Sequence, residues 1–378
     1  MQQLSKLGSF TLLAVACLTI MVGCVLAPGL PSIAAALGVG GAASWLITLP
    51  SLGAVLFAPL AGGIIQKQGA RNSLMVGLFL YGLLGFGGIF LHGMMVFVDR
   101  VLLGGVTAIV MASGTALISE FYQGHARLGM IAKQGMAIEL GGVVFLAIGG
   151  ALASLAWQGP FALYFMAWVF MMMVAAFIPK NRFPVAEGQS AGSSPTLSKV
   201  KDVYIAASFS MIVFFVGIVY IPSRLHDLKF TEAETGYFLA FISLVAVIFA
   251  SQMPKVTAAL REHGTLVLAF LLYAAAHLFF ASAHSMPMFL AGGIFMGGGF
   301  GLSVPLVNHM TIERSHPAVR GRNLAYLSLA LFLGQFVTSF LEFIPGTTNT
   351  TFGLAALLSF IIAMFFGGLL LIRRGAEA

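Results

Sequence analysis

Apolar residues run through this chain in long blocks, cut by short polar breaks. Twelve blocks reach the length of about 20 residues that crosses a bilayer: roughly 8–28, 43–65, 73–92, 95–118, 134–155, 160–179, 203–222, 235–253, 265–283, 286–308, 323–343 and 351–372. In hydrocarbon each backbone N–H and C=O must be satisfied within its own segment, so runs this long predict helices. The fold expected is an all-α membrane protein. The first run is too long, and too continuous with the rest, for a cleaved signal peptide.

The longest hydrophilic stretch, 180–202, carries Pro184, Gly188, Ser190, Gly192, Ser193, Ser194 and Pro195 and has no apolar face. It reads as a linker. Six runs precede it and six follow, which predicts an N-terminal bundle 1–179 and a C-terminal bundle 203–378. The halves also echo each other. Arg127 lies 14 residues before Gly141, and Arg320 lies 14 residues before Gly334. Each Arg is expected in a loop just ahead of a helix, with the Gly inside that helix.

Composition agrees with a membrane protein: 378 residues, 59% hydrophobic, 8% charged, mean hydropathy +1.00. A soluble domain has about 25% charged residues. The net charge of +7 is a matter of topology. With the N-terminus inside, only Arg100, Arg224 and Lys229 of the 19 Lys and Arg fall toward the outside. That bias places both termini in the cytoplasm, with the chain multi-pass in the cytoplasmic (inner) membrane. It points to a lipid bilayer as partner, not a nucleic acid. Cys17 and Cys24 are seven residues apart in one run, about 10 Å along a helix, so they cannot pair.

The break between the second and third runs reads Gly62-Gly63-Ile64-Ile65-Gln66-Lys67-Gln68-Gly69-Ala70-Arg71. Gly62, Lys67, Gly69 and Arg71 stand at the offsets of the loop signature of the major facilitator superfamily, with Gln66 where that family usually has Asp. Further residues resemble the same family. Pro28-Gly29-Leu30-Pro31 resembles the close of helix 1 in exporters, and Trp45, Thr48, Leu52, Gly53, Pro59 and Leu60 resemble the helix 2 pattern. Arg100-Val101-Leu102-Leu103-Gly104-Gly105 resembles the helix 4 signature; Glu120 and Arg127 resemble the acid and base flanking the next loop. Gly141, Gly149 and Gly150 match the outer glycines of the antiporter signature, whose central Gly-Pro is replaced by Phe145 and Leu146. The pattern is closest to the drug:proton antiporter branch. The resemblance implies twelve helices in two pseudo-symmetric six-helix bundles, a gating loop at Gly62, Lys67, Gly69 and Arg71, and alternating access.

An ionisable group at the centre of a spanning helix costs about 2.5–3.5 kcal/mol, so the few present are informative. Glu139 lies six residues past Lys133, about 9 Å deeper, which places it in the inner third of the fifth run. It is either a proton-titrating acid or half of a structural ion pair. Arg100, beside Asp99, either serves proton relay, as the family resemblance implies, or forms an interfacial pair. His277 either shuttles protons, since a histidine titrates near neutral pH, or is a packed residue of a peripheral helix, the preferred reading. Gln335 and Asn308 either hydrogen-bond a substrate or bridge helices. Phe214, Phe215, Tyr220, Phe295 and Phe300 are candidates for an apolar substrate wall. Arg224, Asp227 and Glu342 read as outer surface or interfacial charges.

The chain contains no Walker loop, no His-Glu-x-x-His and no Cys-x-x-Cys. An enzyme is not expected, and neither is a metal or cofactor. The expected function is proton-coupled export of a small, partly apolar organic molecule by a monomer. Import or uniport of an organic acid or sugar is the alternative within transport. A non-transporting receptor or assembly factor is the alternative outside it.

Overall fold

The computed structural model describes residues 4–180, 200–316 and 319–377. Most of the expected linker, 181–199, lies outside them. The described residues are helical throughout, with no strand. The spans are α1 (Lys6–Ala36), α2 (Trp45–Gln68), α3 (Ala70–Phe90), α4 (Met94–Phe121), α5 (Gly124–Leu155), α6 (Gly159–Phe177), α7 (Lys201–Asp227), α8 (232–260), α9 (262–282), α10 (Met286–Arg314), α11 (Arg320–Phe343) and α12 (Thr348–Ile372). The architecture is the two-bundle fold expected. The chain divides into one compact unit of Met1–Gly188 with Thr231–Ala240, and a second of Gln189–Phe230 with Phe241–Ala378.

Three elements differ from the expected runs. α1 does not close at Pro28: a short 3-10 turn, Ala27–Gly29, carries the chain into Leu30–Ala36. Pro28 and Pro31 each sit in the first turn of a helical segment, where the missing N–H costs no hydrogen bond. α5 begins at Gly124, so Arg127 lies in its first turn and not in a loop; Arg320 likewise is the first residue of α11. Polar residues leave an apolar run without breaking helical geometry, so hydropathy underestimates such helices. For the same reason 254–260, expected in a loop, continue α8.

Within the first unit, α2 and α4 cross backbone to backbone. A Cβ on Gly53 would strike the Val101 carbonyl, and one on Gly104 would strike Pro50. Tyr81 of α3 donates to the Leu18 carbonyl of α1 at 2.7 Å. Gly141 of α5 faces Cys17 of α1, where a Cβ would come within 2.8 Å of the Cys17 Cβ. The second unit repeats these contacts. His277 of α9 donates through Nε2 to the Val213 carbonyl of α7 at 2.9 Å. Gly334 of α11 faces Ser208 and Met211 of α7. The Arg–Gly echo in sequence therefore marks equivalent packing positions.

The repeat extends to backbone shape. α2 passes into α3 through Gly69 alone (φ 80°, ψ 152°), and α8 passes into α9 through Arg261 alone (φ 62°, ψ 171°). Only glycine adopts this region freely; another residue there stores about 1–3 kcal/mol of strain. Arg261→Gly is therefore expected to raise the thermal unfolding midpoint in detergent micelles. An unchanged or lower midpoint would show that the kink is unstrained or that the Arg261 side chain outweighs it.

Candidate functional site

Glu139 lies in α5 (Gly124–Leu155), six residues and about 9 Å past Lys133. The side chain is half-buried, and no hydrogen bond or ion pair reaches its carboxylate among the described residues. Helix α1 packs alongside. Cys17 donates its Sγ proton to the Ala137 carbonyl at 3.1 Å, and Cys24 lies within electrostatic reach of Glu139.

Arg100 is fully buried. Its Nη2 lies 2.8 Å from Asp99 Oδ2 and its Nε donates to the same oxygen at 3.1 Å. Nη1 donates to the Tyr164 hydroxyl at 3.3 Å and Nη2 to the Gly85 carbonyl at 3.5 Å. The guanidinium carbon also stands 5.7 Å from the ring centres of both Phe161 and Tyr164. Gly88 has no side chain because Arg100 occupies the place of its Cβ. Arg100 thus ties α4 to α3 and α6, and it does not reach out to an interface. Cys24 is within electrostatic reach of Tyr81 and Tyr164 as well as of Glu139.

The loop residues separate into distinct roles. The turn is made at Gly69, whose φ of 80° demands glycine. Gly62 lies inside α2 and is exposed, with nothing near the position of a Cβ, and Lys67 is exposed. Arg71 is buried against the end of α6, where Nε donates to the Ile178 carbonyl at 2.8 Å and Nη2 to Ala175 at 3.1 Å. It satisfies carbonyls that the helix leaves open and complements the negative end of its dipole.

In the second unit, Phe214 of α7 and Phe300 of α10 lie with ring centres 4.1 Å apart, and Phe215 is 6.1 Å from Phe214. Gln335 of α11 donates to Met211 Sδ at 3.7 Å, less than a turn along α7 from Phe214. These four come together. Phe295 stands apart, paired with Phe279 of α9 at 5.4 Å. Asn308 turns back on its own helix, donating to the Val304 carbonyl at 3.0 Å. The Tyr220 hydroxyl is shielded and has no partner, within electrostatic reach of Glu342. His277 is packed between Phe280 and Phe352. Arg224 lies within α7, not after it, and donates to the Ala283 carbonyl at 3.3 Å.

Sequence reasoning missed one constellation. Arg314 at the end of α10 donates to both carboxylate oxygens of Asp202 at the start of α7, at 3.1 and 2.8 Å, and also binds Glu262 of α9. His263 Nε2 lies 3.0 Å from Asp202 Oδ2. Opposite charges at the ends of successive apolar runs were the available signal.

The family model described as "Major Facilitator Superfamily" matches residues 11–339. The chain belongs to this family of membrane transporters. No curated protein is matched by sequence. Among solved structures, a mutant of the peptide transporter POT in complex with sulfate superposes with TM-score 0.80 at 12% identity, over 97% of this chain and 94% of that one. A mutant of the nucleoside transporter NupG gives 0.71 at 16%, over 95% and 99%. A D-xylose-proton symporter gives 0.72 at 16%, over 96% and 97%. At these identities the likeness is one of fold.

Replacing one partner of a buried ion pair leaves the other charge uncompensated, at a cost of about 3–5 kcal/mol. Asp99→Asn is therefore expected to lower the unfolding midpoint sharply and to reduce the yield of monodisperse protein. A midpoint equal to that of the wild type would mean that Arg100 is satisfied without its carboxylate.

Proposed function

We propose that this protein is a proton-coupled secondary transporter that exports a small, partly apolar organic molecule from the cytoplasm. The observation that carries the reading is Glu139, a half-buried carboxylate in the membrane-spanning part of α5 that no hydrogen bond or ion pair reaches among the described residues. An unpaired acid at that depth costs several kcal/mol, and protonation is the direct way to neutralise it. A group that must take up and release a proton at that depth is what coupling requires. Arg100, buried in the same unit and bonded to Asp99 and Tyr164, is the second coupling residue in this reading.

In this reading Phe214, Phe215 and Phe300 form the apolar wall of the substrate site and Gln335 is its polar anchor. Phe295, Asn308 and Tyr220 complete the candidate set on the same unit, outside that cluster. Gly62, Lys67, Gly69 and Arg71 act as the gating loop, with Gly69 as the hinge and Arg71 as the anchor. The mechanism proposed is alternating access by the bundles 1–179 and 203–378, joined by the cytoplasmic linker 180–202. The protein works as a monomer in the inner membrane with both termini cytoplasmic, as the bias of Lys and Arg supports. Each charge moved down the potential supplies about 2.3 kcal/mol per 100 mV, a gradient of roughly 50-fold.

A second reading is import or uniport, favoured by Phe145 and Leu146 in place of the antiporter Gly-Pro. The deciding experiment is proton flux in proteoliposomes with an entrapped pH dye, over a panel of drugs, chelators, sugars and organic acids. The expected outcome is substrate-triggered proton movement that Glu139→Gln abolishes while leaving substrate binding. Solute movement without protons, unchanged in Glu139→Gln, would sink the antiporter reading in favour of uniport. Binding without flux would support a receptor.

A further inference from the structure

The passage from α8 into α9 repeats the passage from α2 into α3. Each turns on one residue of positive φ, Gly69 in the first unit and Arg261 in the second. Four residues further on, Ser73 and Thr265 each donate a hydroxyl to the carbonyl of that residue, at 2.9 Å in both units. With the two turns in register, Arg71 and His263 hold the same place, each two residues past the turn. A guanidinium keeps its charge at every physiological pH. An imidazole gains and loses a proton between about pH 5 and 8. One place in the repeated plan is therefore fixed in charge in the first unit and titratable in the second.

His263 is buried, 4% exposed. Three other helices bear on it. α7 presents Asp202, whose Oδ2 lies 3.0 Å from the imidazole Nε2. α10 presents Arg314, which donates to both oxygens of that carboxylate and also binds Glu262, the chain neighbour of His263. α12 presents the uncharged ring of Phe366, with ring centres 6.1 Å apart. Lys201 and Glu313, next in the chain to Asp202 and Arg314, are exposed. His263 and Glu262 thus fasten the start of α9 to α7 and α10. In the first unit the ends of α1 and α4 are joined instead by an uncharged bond between Ser9 and Tyr122, at 2.6 Å.

We propose that His263 is a pH-sensitive clasp: with its proton it pairs with Asp202 and holds the start of α9 to α7, and without it that hold loosens. A protonated imidazole against a carboxylate is an ion pair and a hydrogen bond at once, whereas a neutral ring keeps the hydrogen bond alone. The change falls at a buried place, where salt screens it least. Arg314 keeps its hold on Asp202 and Glu262 at every pH, so α7 and α10 stay joined and α9 keeps one tether. The outcome is a looser turn, not an unfolded one. The clasp lies at the end of the unit that the Lys and Arg bias assigns to the cytoplasm, so the pH it reads is that of the cytosol. It does not rest on the transport reading.

The test is amide hydrogen exchange of full-length protein in phosphatidylcholine nanodiscs, at about pH 6 and about pH 8, corrected for the chemical exchange rate. It reads opening of the first turns of α9. His263→Arg carries a fixed charge, as Arg71 does, and His263→Gln carries none. The wild type is expected to match His263→Arg at the lower pH and to approach His263→Gln at the higher, where it exchanges about fivefold faster. Neither variant is expected to change between the two. Where a variant does not fold, the first turns of α3, held by Arg71, serve as the reference within the wild type and are expected to show no such step. A wild type in which α9 responds to pH no more than α3, or a pH response that persists in His263→Gln, overturns the proposal. No substrate or proton flux enters these readouts, so they stand or fall apart from the transport assay on Glu139→Gln.

Discussion

Hydrocarbon offers no hydrogen bonds, and this chain is arranged around that fact. Backbone groups are satisfied by forming helices, and the consequence reaches further than secondary structure. Wherever a helix ends, its last carbonyls need a donor. Arg71 supplies one to the end of α6 and Arg224 one to the end of α9. Where helices must touch closely, side chains are removed: Gly53 with Gly104 in the first unit, and Gly334 against α7 in the second. Arginines and glycines here serve mainly to let helices stop and meet.

The same constraint sorts the charges. Asp99 with Arg100 and Asp202 with Arg314 are pairs in which both members were taken out of water together, with further hydrogen bonds completing the guanidinium. Such pairs hold helices in register and are expensive to break. Glu139 is an exception, half-buried and without a partner among the described residues. An unpaired charge in such a place is destabilising unless it binds something, and a proton is what neutralises a carboxylate.

The two units use one plan with different residues. A cross-bond from the third helix to the first is made by Tyr81 in one and His277 in the other. The tight passage between the second and third helices falls on Gly69 in one and Arg261 in the other. The plan tolerates this because geometry is what is repeated: a donor of the right length, and a backbone in the glycine region. It also explains why His277, attractive for its chemistry, is a packing residue.

The apolar runs alone determined that there are twelve spans, because burial in hydrocarbon is read directly from hydropathy and length. The Arg–Gly spacing reported the internal repeat, and the family motifs reported the superfamily. Helix ends were not legible: α5 starts ten residues before its apolar run. Partners were not legible either. Asp202, Glu262, His263 and Arg314 are scattered over more than a hundred positions, and only the packing of α7, α9 and α10 brings them together. Hydropathy is a property of one segment, whereas the pairing of a charge depends on which segments become neighbours. That is why the fold could be read from the chain, and why the tertiary structure alone decided which polar residues are spent on holding it together and which are left to act.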